Sequence, residues 1–252
     1  TPAGAPAADD VVSLPSGSQV LVASATPQLY DLKVSGTLTF TNWTTCVSAR
    51  NIVVKNGATV TCAGPFNDTT DMSNRVWIAC EDLAVASGGS INVDGKGYGT
   101  ETVMPKYPPT MGPGKWPYPL TSSFGSSVGY GGSYGGNGGT GFGNLTIVPL
   151  PYGSASEPTD PGSSGCSSYY DMALKAGGGA VRIDATGIVT VDGTISANGA
   201  DGGSTSCPGG SGGAILIHCD TFKGANGTVS VQGGSGAWNG RSTAGGGGRI
   251  AI

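Results

Sequence analysis

Charge is the scarcest ingredient of this chain. Charged residues are 11% of its 252 positions, against about 25% in an average domain. The net charge is −4 with no basic cluster, which argues against nucleic acid and anionic membranes as partners. No apolar run approaches the roughly 18 residues of a membrane-spanning helix, so no membrane insertion is expected. Heptads are absent and few segments favour helix. The six cysteines show no CxxC or metal-type spacing. The phosphate-loop pattern fails at the last position of Gly95-Lys96-Gly97, and Gly138-Gly139-Thr140-Gly141-Phe142-Gly143 lacks the Asp of a calcium-binding β-roll nonapeptide. No cofactor and no metal site is expected.

What the chain has in excess is glycine, 47 residues, about 19% where ~7% is usual. With it comes a repeated strand frame. In Val181-Arg182-Ile183-Asp184-Ala185-Thr186-Gly187-Ile188-Val189-Thr190-Val191 an apolar strand reaches a small residue, skips two positions and resumes as apolar, x, Val. The frame recurs at 47–54 and 78–85, and with a longer stretch in place of the skip at Ile217-His218-Cys219 followed by Val229-Ser230-Val231. A turn with Gly57, Gly88, Gly193 or Gly233 follows each copy, and a looser copy begins at Leu32. Alternation sends every second side chain inward, so Val, Ile and Leu fill the interior. Ile52, Leu83 and Ile188 are expected to stack there, in rungs about 4.8 Å apart. Short strands repeating with glycine corners indicate stacked coils.

The fold class predicted is all-β: a right-handed parallel β-helix over 18–252, interrupted at 98–176 by a Gly/Tyr/Pro-rich insertion and preceded by an extended arm, 1–17. The frame resembles the glycine-rich right-handed parallel β-helix modules of large extracellular proteins. It is similar in composition and repeat to surface-appendage and cell-wall proteins of microbes and algae, including the hair-like flagellar filaments of some protists. That resemblance implies an extracellular or cell-surface location.

An even number of cysteines in such a protein suggests disulfides. Cys46 and Cys62 bracket one coil and could close it; Cys166 and Cys207 lie in Gly/Ser/Pro loops where a bridge would restrain the chain. Cys80 and Cys219 occupy the small-residue slot that Ala49 and Ala185 also fill, and are read as buried thiols. Four N-x-T sequons, at Asn42, Asn67, Asn144 and Asn226, are the expected glycan attachment points.

Catalytic candidates are few. Gly209-Gly210-Ser211-Gly212-Gly213 matches the nucleophile elbow formally, but it precedes a strand where that motif needs a helix. The only histidine, His218, is expected on an outer, solvated face. Asp94, Lys96, Asp184, Asp192, Asp201 and Asp220 could line a groove of the kind in which β-helix lyases and hydrolases place paired carboxylates. Asp94 and Asp192 equally suit turns. Trp116, Tyr118, Tyr130, Tyr134 and Trp238 are aromatics that could hold a sugar or pack an insertion. No catalytic residue is assigned. The function expected is that of an extracellular structural glycoprotein, not an enzyme, whose partners are covalent glycans and copies of itself joined head to tail in a filament or surface layer. The alternative is a polysaccharide-binding or polysaccharide-cleaving module. The chain starts at Thr1 without a leader, as a processed or trimmed form would, and its last coil stops half-built at Ile252.

Overall fold

The computed structural model describes residues 4–66, 72–99, 111–114, 130–140, 149–165, 175–203, 207–236 and 243–252. Those residues are all β and irregular structure, without helix, and every strand pair is parallel. One sheet runs β1 (Val11–Leu14), β3 (Leu29–Val34), β5 (Val47–Val54), β7 (Val76–Val85), β9 (Ala180–Ala185), β12 (Ala214–His218) and β15 (Arg249–Ala251). Its ladder branches at β7 to β10 (Ile188–Val191) and β13 (Thr221–Lys223). The other holds β2 (Gln19–Val22), β4 (Thr37–Phe40), β6 (Thr59–Cys62), β8 (Ser90–Asn92), β11 (Thr194–Ser196) and β14 (Thr228–Ser230). The chain passes from the first sheet to the second and back, each time landing beside its previous pass. Val11–Leu14, within the expected arm, already pairs with β3.

Alternation decides which side chains meet between the sheets. Val47, Ile78, Ile183 and Ile217 form one inward column, and Leu32, Ile52, Leu83 and Val189 another. Leu38, Val60, Ile91 and Ile195 form a column from the second sheet. All of these are at most 4% exposed, and each such side chain stabilises by about 1.5–3 kcal/mol relative to exposure. The small-residue slot is also a column, Ala49–Cys80–Ala185. At Arg50-Asn51 and Glu81-Asp82 two consecutive side chains leave the core, and there the strand bends. Gly57 and Gly88 turn between sheets with φ of 76° and 77°, which a Cβ disfavours.

Two details of the frame shift. Ile188 was expected inside, but Val189 takes the slot beside Leu83. One extra residue lies between Ala185 and that slot, and Gly187 makes room because a Cβ there would strike Asp82. The Ile188 amide instead donates to Asp82 Oδ1 at 2.7 Å. Likewise, the strand resuming after Cys219 is β13, beside β10, whereas Val229-Ser230 belongs to β14 on the second sheet.

The glycine tracts are more than corners. From Gly209 to Gly213, successive amides donate to the carbonyls of Thr243, Ala200, Ser163, Gly246 and Ala197, at 2.7–3.0 Å. The target segment returns every third residue: 243 and 246, then 200 and 197. No bond is made within the tract. This is the period of a polyproline II-type backbone, which has three residues per turn and no internal hydrogen bonds. Segments 176–179, 197–202, 232–235 and 243–248 interlock with it in the same way, and 131–139, which also bonds within itself, joins them through Gly209 and residues 244–247. A Cβ on Gly209, Gly210, Gly212 or Gly213 would overlap a carbonyl oxygen of the neighbouring segment. These tracts therefore form a third packed wall beside the sheets, and part of the insertion belongs to it. Tyr134 from the insertion is buried against Ala180 and Ala214, with its ring 4.7 Å from that of Tyr152.

Candidate functional site

Side chains pointing away from the core of the first sheet gather into one polar and aromatic cluster. Trp77 on β7 lies beside Arg182 on β9 by register, and Asp184 lies beside His218 on β12. Arg75 precedes β7, Trp43 precedes β5, and Glu157 comes from the insertion. The Arg75 guanidinium carbon sits 4.8 Å from the Trp43 ring centroid and 4.5 Å from that of Trp77; Arg182 lies 5.1 Å from Trp77. Rings and guanidinium planes thus alternate in a stack, in which partly desolvated cation–π contacts contribute on the order of 1 kcal/mol each. Arg75 Nε donates to the Trp43 carbonyl at 2.7 Å, and the residue is buried. Its pKa falls below the usual arginine value through burial first and the neighbouring Arg182 charge second.

Asp184 is the hub. It accepts from Trp77 Nε1 at 2.7 Å and from Arg182 Nε at 2.7 Å, and its Oδ1 lies 3.0 Å from His218 Nδ1. Burial pushes its pKa up, but the bonds from Arg182, Trp77 and His218 together outweigh that and hold it below the ordinary carboxylate value. His218 Nε2 faces Glu157 at 3.4 Å, so the imidazole joins β12 to the insertion. His218 faces outward as expected, but it is engaged by two acids and is not simply solvated.

Of the other acids weighed as lining a groove in the alternative reading, Asp94, Asp192 and Asp201 bond across to neighbouring segments. Asp94 accepts from the Asn198 amide at 2.6 Å, Asp192 from that of Ala225 at 2.8 Å, and Asp201 from that of Ser235 at 2.7 Å. Asp82 and Asn198 do the same for Ile188 and Gln232. Each acceptor reaches the neighbouring pass of the chain, so these are staples between passes and not turns closing on their own backbone. Asp220 accepts from the hydroxyl of its neighbour Thr221, and Lys96 reaches the Gly64 carbonyl. Among the described residues no group of three or more His, Cys, Asp or Glu could hold a metal ion.

Ser211, of the elbow-like motif, is fully buried in the glycine wall. Its Oγ accepts from the Ser163 amide at 2.8 Å and reaches the Ser163 carbonyl, with no base bonded to it among the described residues. Cys46 and Cys62 are free thiols, and the bridge expected between them is not formed. Cys62 points into the core at the end of β6, where burial pushes its pKa up to about 12. Cys46 lies beside the Arg75 and Asp184 charges, on the outer cluster. Cys80 is buried, as expected, whereas Cys219 is half-buried. Cys207 is buried in the glycine wall, and Cys166 lies outside the described residues. Tyr130 and Tyr134 are buried and offer no exposed platform; Trp116, Tyr118 and Trp238 lie outside the described residues. Asn42 and Asn226 are exposed in loops, and Asn67 and Asn144 lie outside the described residues.

The second sheet shows another outer face. Gln19, Thr37, Thr59, Ser90, Thr194 and Thr228 form one column by register. Two positions along each strand, Leu21, Thr39 and Thr61 lie side by side, as do Asn92, Ser196 and Ser230. None of these positions carries a charge.

Residues 1–79 match the G8 domain, which is typically found in extracellular proteins. The match ends within β7 and includes Trp43, Arg75 and Trp77 but none of the glycine wall. No curated protein and no solved structure matches the chain.

Proposed function

We propose that this chain is an extracellular structural module, a right-handed parallel β-helix that stacks head to tail with copies of itself in a filament or surface layer. The observation that carries this reading is the employment of its acids. Asp82, Asp94, Asp192 and Asp201 each staple one coil to the next, which commits these four carboxylates to the framework. Rigidity along the stacking axis is what such staples add. The extracellular setting is supported by the G8 match, and exposed Asn42 and Asn226 are the described positions for N-linked glycans. Stacking is supported by β1. Among the described residues it is paired on one side only, with β3, and such an edge templates a further strand. At the β1–β2 end a cavity of about 310 Å³, lined by Val12, Leu14, Val20 and Val22, opens the core to a further coil. A contact of this kind does not close on itself and propagates. Electron microscopy of native material tests it: filaments with an axial repeat of one module are expected, and isolated monomers defeat the reading.

One observation favours a second reading. The Trp43–Arg75–Trp77–Arg182 stack with Asp184 and His218 is an aromatic and cationic surface suited to an acidic polysaccharide. Screening against pectins, alginates and sulfated glycans decides it: binding or cleavage that is lost in Trp77→Ala favours this reading over the structural one.

A further inference from the structure

We infer that Asn226 is a self-modifying site, deamidating through a cyclic imide to aspartate and isoaspartate. Eight steps of the chain set Asn or Asp before Gly. In such a step the following amide can swing toward the side-chain carbonyl carbon, because glycine lacks the Cβ that would hinder it. Asn239-Gly240 lies outside the described residues. In six of the remaining seven the glycine amide is held by a hydrogen bond. Gly57 donates to the Gly88 carbonyl at 2.9 Å, Gly95 to that of Asn198 at 2.8 Å and Gly193 to that of Val85 at 3.0 Å. Gly199 and Gly202 donate to the carbonyls of Gln232 and Ser235, both at 2.8 Å, and Gly138 to Ser133 Oγ at 2.8 Å. Asp94, Asp192, Asn198 and Asp201 also have their side chains engaged by neighbouring segments. Asn226-Gly227 is the exception. Among the described residues neither the Asn226 side chain nor the Gly227 amide makes a hydrogen bond, and both residues are exposed.

The chemistry needs water and nothing else. A solvent base takes the Gly227 amide proton, and the nitrogen bonds to Asn226 Cγ. The Cγ–Nδ2 bond breaks, and Nδ2 leaves as ammonia with a proton returned from solvent. Water then opens the imide: attack at Cγ gives aspartate, and attack at the backbone carbonyl carbon gives isoaspartate, whose main chain runs through Cβ and is one atom longer. The surroundings make that extra atom costly. The Ala225 amide is bonded to Asp192 Oδ1 at 2.8 Å and the Thr228 amide to the Gly193 carbonyl at 2.9 Å. Gly227 lies so close to the Val191 carbonyl that a Cβ would overlap it. Lengthening the chain between these anchors pulls on Thr228, the first residue of β14, which among the described residues is paired with β11 alone. Asn226 also opens the sequon Asn226-Gly227-Thr228. A glycan would sit on Nδ2, the atom that must leave, so glycosylation and cyclisation exclude each other at this residue.

The test uses the whole chain produced without glycans, aged at mildly alkaline pH, folded and in denaturant, beside the variant Asn226→Gln. Peptide mass spectrometry and enzymatic methylation of isoaspartate follow each Asn-Gly step. In the folded chain Asn226 is expected to react on the order of ten-fold faster than Asn56, Asn137 or Asn198, about 1.4 kcal/mol of barrier; in denaturant the four are expected to react alike. Ageing is expected to speed amide exchange at Thr228–Ser230 in the parent and not in Asn226→Gln, whose longer side chain would have to close a larger, slower ring. Three results overturn the inference: Asn226 intact in the folded chain while it reacts in denaturant, any of the three held steps keeping pace with it in the folded chain, or exchange at Thr228–Ser230 rising equally in parent and variant. Failure here leaves the stacking reading standing, because stacking uses the ends of the coil and not this loop.

Discussion

The two sheets bury the same kinds of side chain and differ on the outside. Inward, both present Val, Ile and Leu in columns continued from coil to coil. Outward, the first sheet gathers Trp77, Arg182, Asp184 and His218 into a cross-braced cluster, whereas the second presents uncharged hydroxyls and amides. Register produces both outcomes: in a parallel stack each outward residue repeats beside its counterpart one coil away. Unlike residues aligned in this way make ion pairs and cation–π stacks; like residues make a ladder. The core decides that the two sheets pack together, and the outward columns decide what each face can do.

The glycine wall joins both sheets, and disturbing it tests whether they stand as one body. In Gly213→Val the new side chain would overlap the carbonyls of Gly178 and Gly179, within backbone that cannot retreat because both flanking amides are bonded across the wall. A loss of about 4 kcal/mol or more is expected, read as a lowered midpoint in chemical denaturation. Were the glycine tracts loose linkers, the loss would stay below about 0.5 kcal/mol.

A smaller effect comes from the hub of the charged face. Asp184→Ala leaves Trp77 Nε1, Arg182 and His218 without their shared acceptor, and a loss of about 2–4 kcal/mol is expected at neutral pH. Acid titration sharpens the point. The folded-state pKa of Asp184 is depressed, so its stabilisation is present above the unfolded value of about 3.9 and is lost as pH falls through the lower folded value. Asp184→Asn is therefore expected to flatten the acid limb of the stability profile. Substitutions in the hydroxyl columns leave that limb unchanged, since they remove no titrating group.

The staples come next. Asp201 accepts from both the amide and the hydroxyl of Ser235 but is exposed, so water replaces part of what Asp201→Ala removes. A loss of about 1 kcal/mol is expected, seen as a melting temperature lower by about 2–4 °C. Faster amide exchange confined to Ser235 and its neighbours would show that the bond acts between these two coils.

Much of this was legible from residues alone, and the failures have physical causes. Alternation with a small-residue slot placed Ile52 and Leu83 in one column, because period two is a direct consequence of strand geometry. Ile188 was displaced by one position because Gly187 accommodates an extra residue that the frame could not show. The glycine wall was read as corners, since a polyproline II-type backbone leaves no apolar periodicity. The polar cluster was missed because Trp77 and Asp184 are 107 residues apart. Overlaying the repeated frames carries the signal, for it sets Trp77 beside Arg182 and Asp184 beside His218.

The smallest effect belongs to the hydroxyl face, and its sign is opposite. Ser196 faces outward between Asn92 and Ser230, yet it is buried and its hydroxyl bonds to nothing. Removing a group with unmet hydrogen-bonding capacity relieves a desolvation penalty, whereas removing Asp184 creates one. Ser196→Ala is thus expected to stabilise the chain by up to about 1 kcal/mol, measured as a melting temperature higher by about 2–4 °C. Alanine has lower strand propensity than its β-branched neighbours, which trims the gain. A clear loss of stability in Ser196→Ala would mean that the hydroxyl has a partner in the folded chain, and the contrast between a braced face and an unsatisfied one would fail at that position.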